Sequence, residues 1–495
     1  MVNILQRIWG AVSRSGTEEA TRSWEAAKTT RLNSDQFGRD HGEPLNQKLS
    51  LDLETLRNRC LAEAERNGWI EGMICSHVNS VVGVDGPALQ IHSDSEDFNT
   101  AAEKVWSDWW EKPDYNEQLS GADLLRQAVR SLWTCGEFVW HLTSAAETPE
   151  ADIRLRLQDI HPKRLRSPLL GSYDTTAVGL GVKRDDQGKP LAYYVDDFLV
   201  SEQLGATASS REIAAEFIIH GFKQREPGQI RGVPWLAPGL QVAADLRCYN
   251  DQVMDAARAA ADMSIVLYTD HPDAPYVAVN ETVAIQRRTM RTLPPGWKPT
   301  QVTAQQPGST YKEYVRERLR ELGRPVNMPL MMVLLDSAEH SYSSARFDGQ
   351  LFNRGVAADQ RWICRVALNR LVRMVLREAQ LAGKVPAAPQ SYDTVWTWEA
   401  APHVDPTKES QADQTNLELG VTTLAEVCAA RGKDWEQVID QRVREKAALE
   451  TAGLPLGPYA DKPAPMQQQS GQQPTPSKAT PVSDSPRAVA GKAVV

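Results

Sequence analysis

His340 and the run Ser341-Tyr342-Ser343-Ser344 set hydroxyls beside an imidazole, the pairing with which a hydrolase activates a nucleophile. The run lacks a Gly-x-Ser-x-Gly turn, and it stands where a helix N-cap would stand, its serine oxygen free to accept from the first backbone N–H groups. Capping is the simpler reading. Cys75 and His77 form a second possible nucleophile pair, but positions i and i+2 face apart on a helix, so packing within a helix is expected there. Gly188-Lys189 runs into Pro190 and Gly491-Lys492 into Ala493, so neither is a phosphate-cradling GxxxxGK[ST] loop, and ATP hydrolysis by that route is excluded. Gly179-Leu180-Gly181 lacks the third glycine and the helix start of a dinucleotide fingerprint and is expected within a strand. The six cysteines, Cys60, Cys75, Cys135, Cys248, Cys364 and Cys428, show no CxxC or zinc-ligand spacing, so buried free thiols are expected. No catalytic residue, metal or cofactor is assigned.

Charge spacing is more regular. Asp251, Asp255, Arg258 and Asp262 fall at i, i+4, i+7 and i+11 and share one helix face, mostly acidic. Lys312, Arg316 and Arg320 recur every four residues and line one face of another helix, with Arg324 four residues further on. The plainer alternatives are a solvated face for the first stripe and intrahelical pairs with Glu313, Glu317 and Glu321 for the second.

The elements that would carry these residues are mostly helical. Apolar positions Leu53, Leu56, Cys60, Leu61 and Ala64 recur at helical spacing between Ser50 and Val82, with a break at Gly68. Phe98 to Trp110 reads as an amphipathic helix whose Trp106, Trp109 and Trp110 suit core packing or a subunit contact. Gly121 to Trp133 is a further helix leading to a strand at Glu137 to Leu142. Ile153, Leu155 and Leu157, then Val178, Leu180 and Val182, alternate as strands do, and Asp185-Asp186-Gln187-Gly188 marks a hairpin turn before Leu191 to Val195. After a strand at Glu216 to His220, Pro234 to Asp262 is a long alanine-rich helix. Short apolar runs and Pro-rich turns from Ile265 to Gln306, with a helix at Val283 to Arg291, suggest a small α/β insertion. Helix resumes over Tyr311 to Leu322, a loop is expected over Asp336 to Ser344, and a second long helix over Ser344 to Leu381. The fold class is α+β, predominantly helical.

Residues 1–44 are expected to form an irregular arm, 407–450 a charged helical region broken at Gly420 and Gly432, and 456–495, rich in Pro, Gln and Ser, a disordered tail. The 495-residue chain has 41% hydrophobic residues, enough for a large core or several small ones. Its longest apolar runs fall far short of the roughly 20 residues a membrane helix needs, and its first residues lack a secretory apolar stretch, so folding in a reducing cytoplasm is expected. A net charge of −9 argues against a chain whose main task is to grip nucleic acid, and leaves room for transient contact.

Several segments, taken in order, resemble the lambda-like phage portal family. They are Gln229-Ile230-Arg231-Gly232-Val233-Pro234-Trp235-Leu236-Ala237-Pro238, Leu293-Pro294-Pro295-Gly296, and Tyr342-Ser343-Ser344-Ala345-Arg346. Supporting matches are Asp123 to Glu137 with its Cys-Gly-Glu end, Gln158-Asp159-Ile160-His161-Pro162, Gly181-Val182 with Gly188-Lys189-Pro190, and Asp405-Pro406-Thr407-Lys408-Glu409. The resemblance covers about residues 45–455. The chain departs from it after the second charged helix, where relatives often read Gly-Leu-Gly-Val and this chain reads Leu322-Gly323-Arg324-Pro325-Val326.

The resemblance implies a non-enzymatic dodecameric ring at one capsid vertex of the virion, assembled in the host cytoplasm. A separate terminase drives double-stranded DNA through it, adaptor or tail proteins dock on it, and major capsid or scaffold protein surrounds it. It further implies a wing at 45–233, stem helices at 234–262 and 310–323, a clip at 263–309, a tunnel loop at 324–342, a long wing helix and wing remainder at 343–406, and a crown at 407–455. Lys312, Arg316, Arg320, Arg324, Asp251, Asp255, Arg258 and Asp262 are then channel candidates, and Asp336, Glu339, His340 and Ser341 tunnel-loop candidates. A virion assembly protein without a channel, and a hydrolase built on His340 and Ser343, are the competing classes.

Overall fold

In the computed structural model, the helical periodicity over residues 45–82 becomes two helices, α1 (Leu45–Arg66) and α2 (Gly68–Val82), parted by Asn67, whose side chain caps α2. The structure describes residues 42–144, 153–167, 178–197, 210–262, 266–268, 270, 298–300, 310–399 and 406–455. The expected arm up to residue 41, the helix Val283 to Arg291, the segment Leu293–Gly296, most of the expected clip and the tail from 456 lie outside the described residues.

Next come β1 (Ala88–His92), α3 (Glu96–Trp110) and α4 (Gly121–Thr134). A capping box opens α4, Ser120 accepting from the Asp123 N–H while Asp123 accepts from the Ser120 N–H. Trp106, Trp109 and Trp110 stand at i, i+3 and i+4 and so share one face of α3. They are buried, with Trp106 stacked on Trp110 at 5.1 Å, and core packing is their role.

Strand β2 (Glu137–Ser144) is the centre of an antiparallel three-stranded sheet, flanked by β3 (Leu155–Ile160) and β8 (Ile218–Phe222). Its burial on both faces fits its near-continuous apolar sequence. A four-stranded antiparallel sheet runs in order β4 (Val178–Gly179), β5 (Val182–Arg184), β6 (Pro190–Asp196), β7 (Ser210–Ala214). Here the single strand expected through Val178, Leu180 and Val182 is corrected to a hairpin. Leu180 and Gly181 both take positive φ, +56° and +81°, as a two-residue turn between twisted strands requires. The β5–β6 turn falls where expected, the Asp185 carboxylate accepting from the N–H groups of Gln187 and Lys189.

The alanine-rich helix α5 spans Leu240–Asp262 and does not begin at Pro234. The N–H groups of Trp235 and Leu236 are taken by the carbonyls of Leu132 and Trp133 at the end of α4, and Ala237–Gly239 forms a 3-10 turn, so the α-helix starts only after it. Two short strands, β9 (Val266–Tyr268) and β10 (Lys298–Thr300), pair antiparallel within the expected clip. Then follow α6 (Tyr311–Gly323), α7 (Leu330–Leu334) and α8 (Tyr342–Ile363). The long helix expected to Leu381 is interrupted by a π turn at Cys364–Leu368 before α9 (Asn369–Leu381). Buried pairs recur there every four residues, 363/364, 367/368, 371/372 and 375/376. An α-helix turns every ~3.6 residues and would drift away from that stripe; the wider turn restores it to the core.

Strand β11 (Asp393–Thr397) pairs with β1, and α10 (Pro406–Glu418) and α11 (Leu424–Ala430) complete the first of two units, which ends at Asp434. The described part of the second unit is helix α12 (Trp435–Ala452), none of whose residues is buried, and residues 453–455 after it. The architecture is α+β and predominantly helical. Among the described residues no helix is long and apolar enough to cross a membrane. Four cysteines are buried as expected, but Cys75 and Cys248 are exposed, because each falls on the outward side of its helix.

Candidate functional site

Helices α5 and α6 pack antiparallel. Gly239 lies against Leu322, Asp245 pairs with Arg318 at 3.5 Å, and Tyr311 Oη donates to Asn250 Oδ1 at 3.0 Å, so positions rise along one helix as they fall along the other. Ala243, Leu246, Leu319 and Leu322 are buried in the main core, and Tyr249 stacks on Tyr311.

On α5, Asp251, Asp255 and Arg258 are exposed, with Asp255 and Arg258 paired at 3.2 Å. Asp262 closes the helix, its side chain outside the described residues. The four candidate cations on α6 and just after it part company. Lys312 and Arg316 converge on the Glu339 carboxylate, Lys312 on Oε1 and Arg316 at 3.1 Å from Oε2. Arg320 pairs one turn back with Glu317, the intrahelical alternative, while Arg324 Nη1 donates to Asn327 Oδ1 at 2.8 Å. The hydrogen bond from Lys312 and the charge of Arg316 hold Glu339 below the usual carboxylate range.

The residues before the loop expected over Asp336 to Ser344 are turned or helical. Arg324–Val326 is a 3-10 turn and Leu330–Leu334 is helix α7, because Leu330 and Val333, three apart, can both be buried only from one helical face. The polar loop is Leu335–Ser341. Asp336 Oδ1 accepts from the Ala338 N–H, the Ser337 carbonyl from the His340 N–H, and Ser341 Oγ caps α8 by accepting from the Ser344 N–H. His340 and Ser343 share no hydrogen bond among the described residues, so a nucleophile and its base are not brought together.

Two clusters were not foreseen. Glu137, fully buried in β2, accepts on Oε1 from Arg57 Nη2 at 2.7 Å and Arg231 Nε at 2.8 Å, and on Oε2 from the Gly232 N–H at 2.7 Å and His220 Nε2 at 3.1 Å. Burial disfavours its charge, yet Arg231, Arg57 and His220 outweigh burial and hold the carboxyl well below its usual range. Burial in turn keeps His220 below the usual imidazole value. Gly136 and Gly232 touch through their backbones: a Cβ on Gly232 would lie 2.0 Å from the Gly136 carbonyl oxygen. A glutamate heading the apolar run Phe138-Val139-Trp140 was the available signal. The second cluster lines a cleft of about 260 Å³ with His77, Lys223, Trp235, Asn327, Phe352 and Asp359. There His77 Nδ1 accepts from Trp133 Nε1 at 3.0 Å, and Asp359 lies 3.3 Å from His77 Nε2 and also binds Lys223. His77 thus has a carboxylate partner that sequence spacing did not imply, while Cys75 turns away to Glu71.

Residues 36–360 match the family described as phage portal protein, lambda family. The chain belongs to that family. The match takes in the Glu137 cluster, both charged helices and the polar loop. Among relatives of this portal family, the chain is 22% identical over 482 residues to the probable portal protein of Halomonas phage phiHAP-1, covering 89% of each. It is also 22% identical to portal protein B of Escherichia phage lambda, covering 72% of this chain and 75% of that one. A solved structure of the neck of an empty gene transfer agent particle aligns with a TM-score of 0.44 and 13% identity, covering 77% of this chain and 94% of that one. The segments Cys135-Gly136-Glu137, Pro162 and Arg231-Gly232, far apart in the portal-family pattern, meet around one carboxylate, since Arg231 Nη2 also donates to the Pro162 carbonyl at 2.9 Å.

Proposed function

We propose that the chain forms a dodecameric ring at a single capsid vertex, a channel through which a terminase drives double-stranded DNA during packaging and through which the DNA later leaves. Membership of the portal family over residues 36–360 carries this reading. The antiparallel pair α5 and α6 supplies the stem, with β9 and β10 at the clip end, Leu335–Ser341 as the tunnel loop, α8 and α9 as the wing helices, and 407–455 as the crown. Adaptor or tail proteins dock on the ring, and capsid or scaffold protein holds its rim. It works in the virion after assembly in the host cytoplasm.

Closure of such a ring needs heterologous contacts between neighbouring subunits. A net charge of −9 per chain gives phosphates a repulsive mean field, which favours sliding over sticking. Lys312, Arg316, Arg320 and Arg324, with Asp251, Asp255, Arg258 and Asp262, would give brief and replaceable contacts in the bore. The chain is a conduit and not an enzyme; the partner motor supplies the work. Electron microscopy of the purified protein tests this: rings with a central hole are expected, and a monomer at every concentration would overturn it. Neutralising Lys312, Arg316, Arg320 and Arg324 together is expected to lower DNA retention in packaged particles.

A further inference from the structure

We infer that Glu339 is a built-in competitor for DNA phosphate, occupying Lys312 and Arg316 when the channel is empty and surrendering them when DNA is present. This rests on the reading of α6 as a channel helix. Of the five cations on that helix and its end, Lys312 and Arg316 are the two that pair with the loop; Arg318 meets Asp245 and Glu321, and Arg320 and Arg324 are met by Glu317 and Asn327 close by in sequence. Glu339 bridges them with one oxygen each, the arrangement in which a phosphodiester also presents two anionic oxygens to a lysine and an arginine. The exchange is easy at Lys312, where the side chains of Lys312 and Glu339 are 68% and 47% exposed and exposed pairs are weak and salt-screened; Arg316, 17% exposed, is the firmer hold of the two.

The exchange also has a mechanical partner. Among the described residues, the hydrogen bonds and ion pairs that join Leu335–Ser341 to α6 all run through Glu339; the loop's other polar ties are internal, to α7, or to the start of α8. A phosphate that takes Lys312 or Arg316 therefore unties the loop from α6, and an untied loop leaves the cations open to phosphate. By linkage the two effects are equal in size. Contact at Arg320 displaces Glu317 of the same helix and releases no loop.

The test uses the assembled ring of the full chain, amide exchange over residues 335–341, and a short blunt duplex followed by fluorescence anisotropy at low salt. Without DNA, Glu339→Gln is expected to speed loop exchange about two- to fivefold and to tighten duplex binding by a similar factor, the range an exposed pair supports. Added duplex should speed loop exchange in the unaltered ring and not in the Glu339→Gln ring. The triple change Lys312→Glu, Arg316→Glu and Glu339→Lys should restore loop protection without restoring duplex affinity, which separates the tie itself from the cations' contact with DNA. Equal loop exchange in the unaltered and Glu339→Gln rings, or duplex binding that leaves loop exchange unchanged, would overturn the inference with the channel reading intact. A chain that forms no ring overturns the channel reading and the phosphate competitor with it, even where Glu339→Gln still frees the loop.

Discussion

Glu137 and Glu339 each hold two cations, and burial makes them opposites. Glu137 is sealed between Arg57 and Arg231 with no exposed side-chain surface, and its remaining valences go to Gly232 and His220. Glu339 pairs with Lys312 and Arg316 at the surface, its own side chain half exposed. In the first setting no water can replace a lost partner, so the carboxylate is a fixture of the fold. In the second, water and salt replace partners continuously, so the carboxylate can be traded. The same chemical set thus serves structure in one place and exchange in the other.

The contrast breaks most visibly with Glu137→Gln, which keeps the shape and leaves two buried guanidinium groups uncompensated. A loss of about 3–5 kcal/mol is expected in denaturant unfolding. Gly232→Ala should follow at about 1–3 kcal/mol, because its Cβ would meet the Gly136 carbonyl oxygen at 2.0 Å and the two backbones must separate; thermal unfolding reads it.

Acidity sharpens the contrast next. His220 is held below 6.5, so the unfolded chain gains a proton near that pH that the folded chain refuses, and stability begins to fall as pH drops past about 6.5. Glu137 contributes fully above its unfolded value of 4.5, and that contribution is lost as pH falls from there toward its depressed folded value. Asp159 supplies the counterexample of a carboxyl crowded by another acid. Burial and the neighbouring Asp114 raise it from 3.8 to about 7, so its contribution is complete below 3.8 and gone above about 7. Asp159→Asn should therefore raise the melting temperature at pH 8 and do so progressively less toward pH 5. The smallest effect belongs to Glu339→Gln, which should leave the melting temperature where it is while removing the salt dependence of loop exchange. A large loss of stability there would erase the distinction.

Local periodicity made the helices legible, since stripes such as Leu53, Cys60 and Ala64 need no distant partner to be recognised. The alternation Val178, Leu180, Val182 misled because a two-residue turn keeps the same spacing of apolar residues as a strand. The apolar run at Leu330 to Leu334 was too short for periodicity to tell a helical turn from loop. The charged residues of α6 were visible, but their division was not: which cation pairs within the helix and which reaches Glu339 depends on how α7 returns the chain. The Glu137 cluster could not be assembled from spacing for the same reason, its members lying at positions 57, 137, 220 and 231. The ordered motifs nonetheless marked it, since three of them turn out to be its walls.

The backbone bonds from Trp235 and Leu236 to the last turn of α4 bear on how force would travel. Only the 3-10 turn Ala237–Gly239 separates that splice from α5, and Gly239 is itself pressed against Leu322. A hinge needs residues free to change φ and ψ, and this junction offers few. A push along α5 would be delivered to α4 and the tryptophan core as through a welded strut, and compliance would have to be sought beyond the C-terminal end of α6, where Asn327 and Leu335 sit in left-handed backbone.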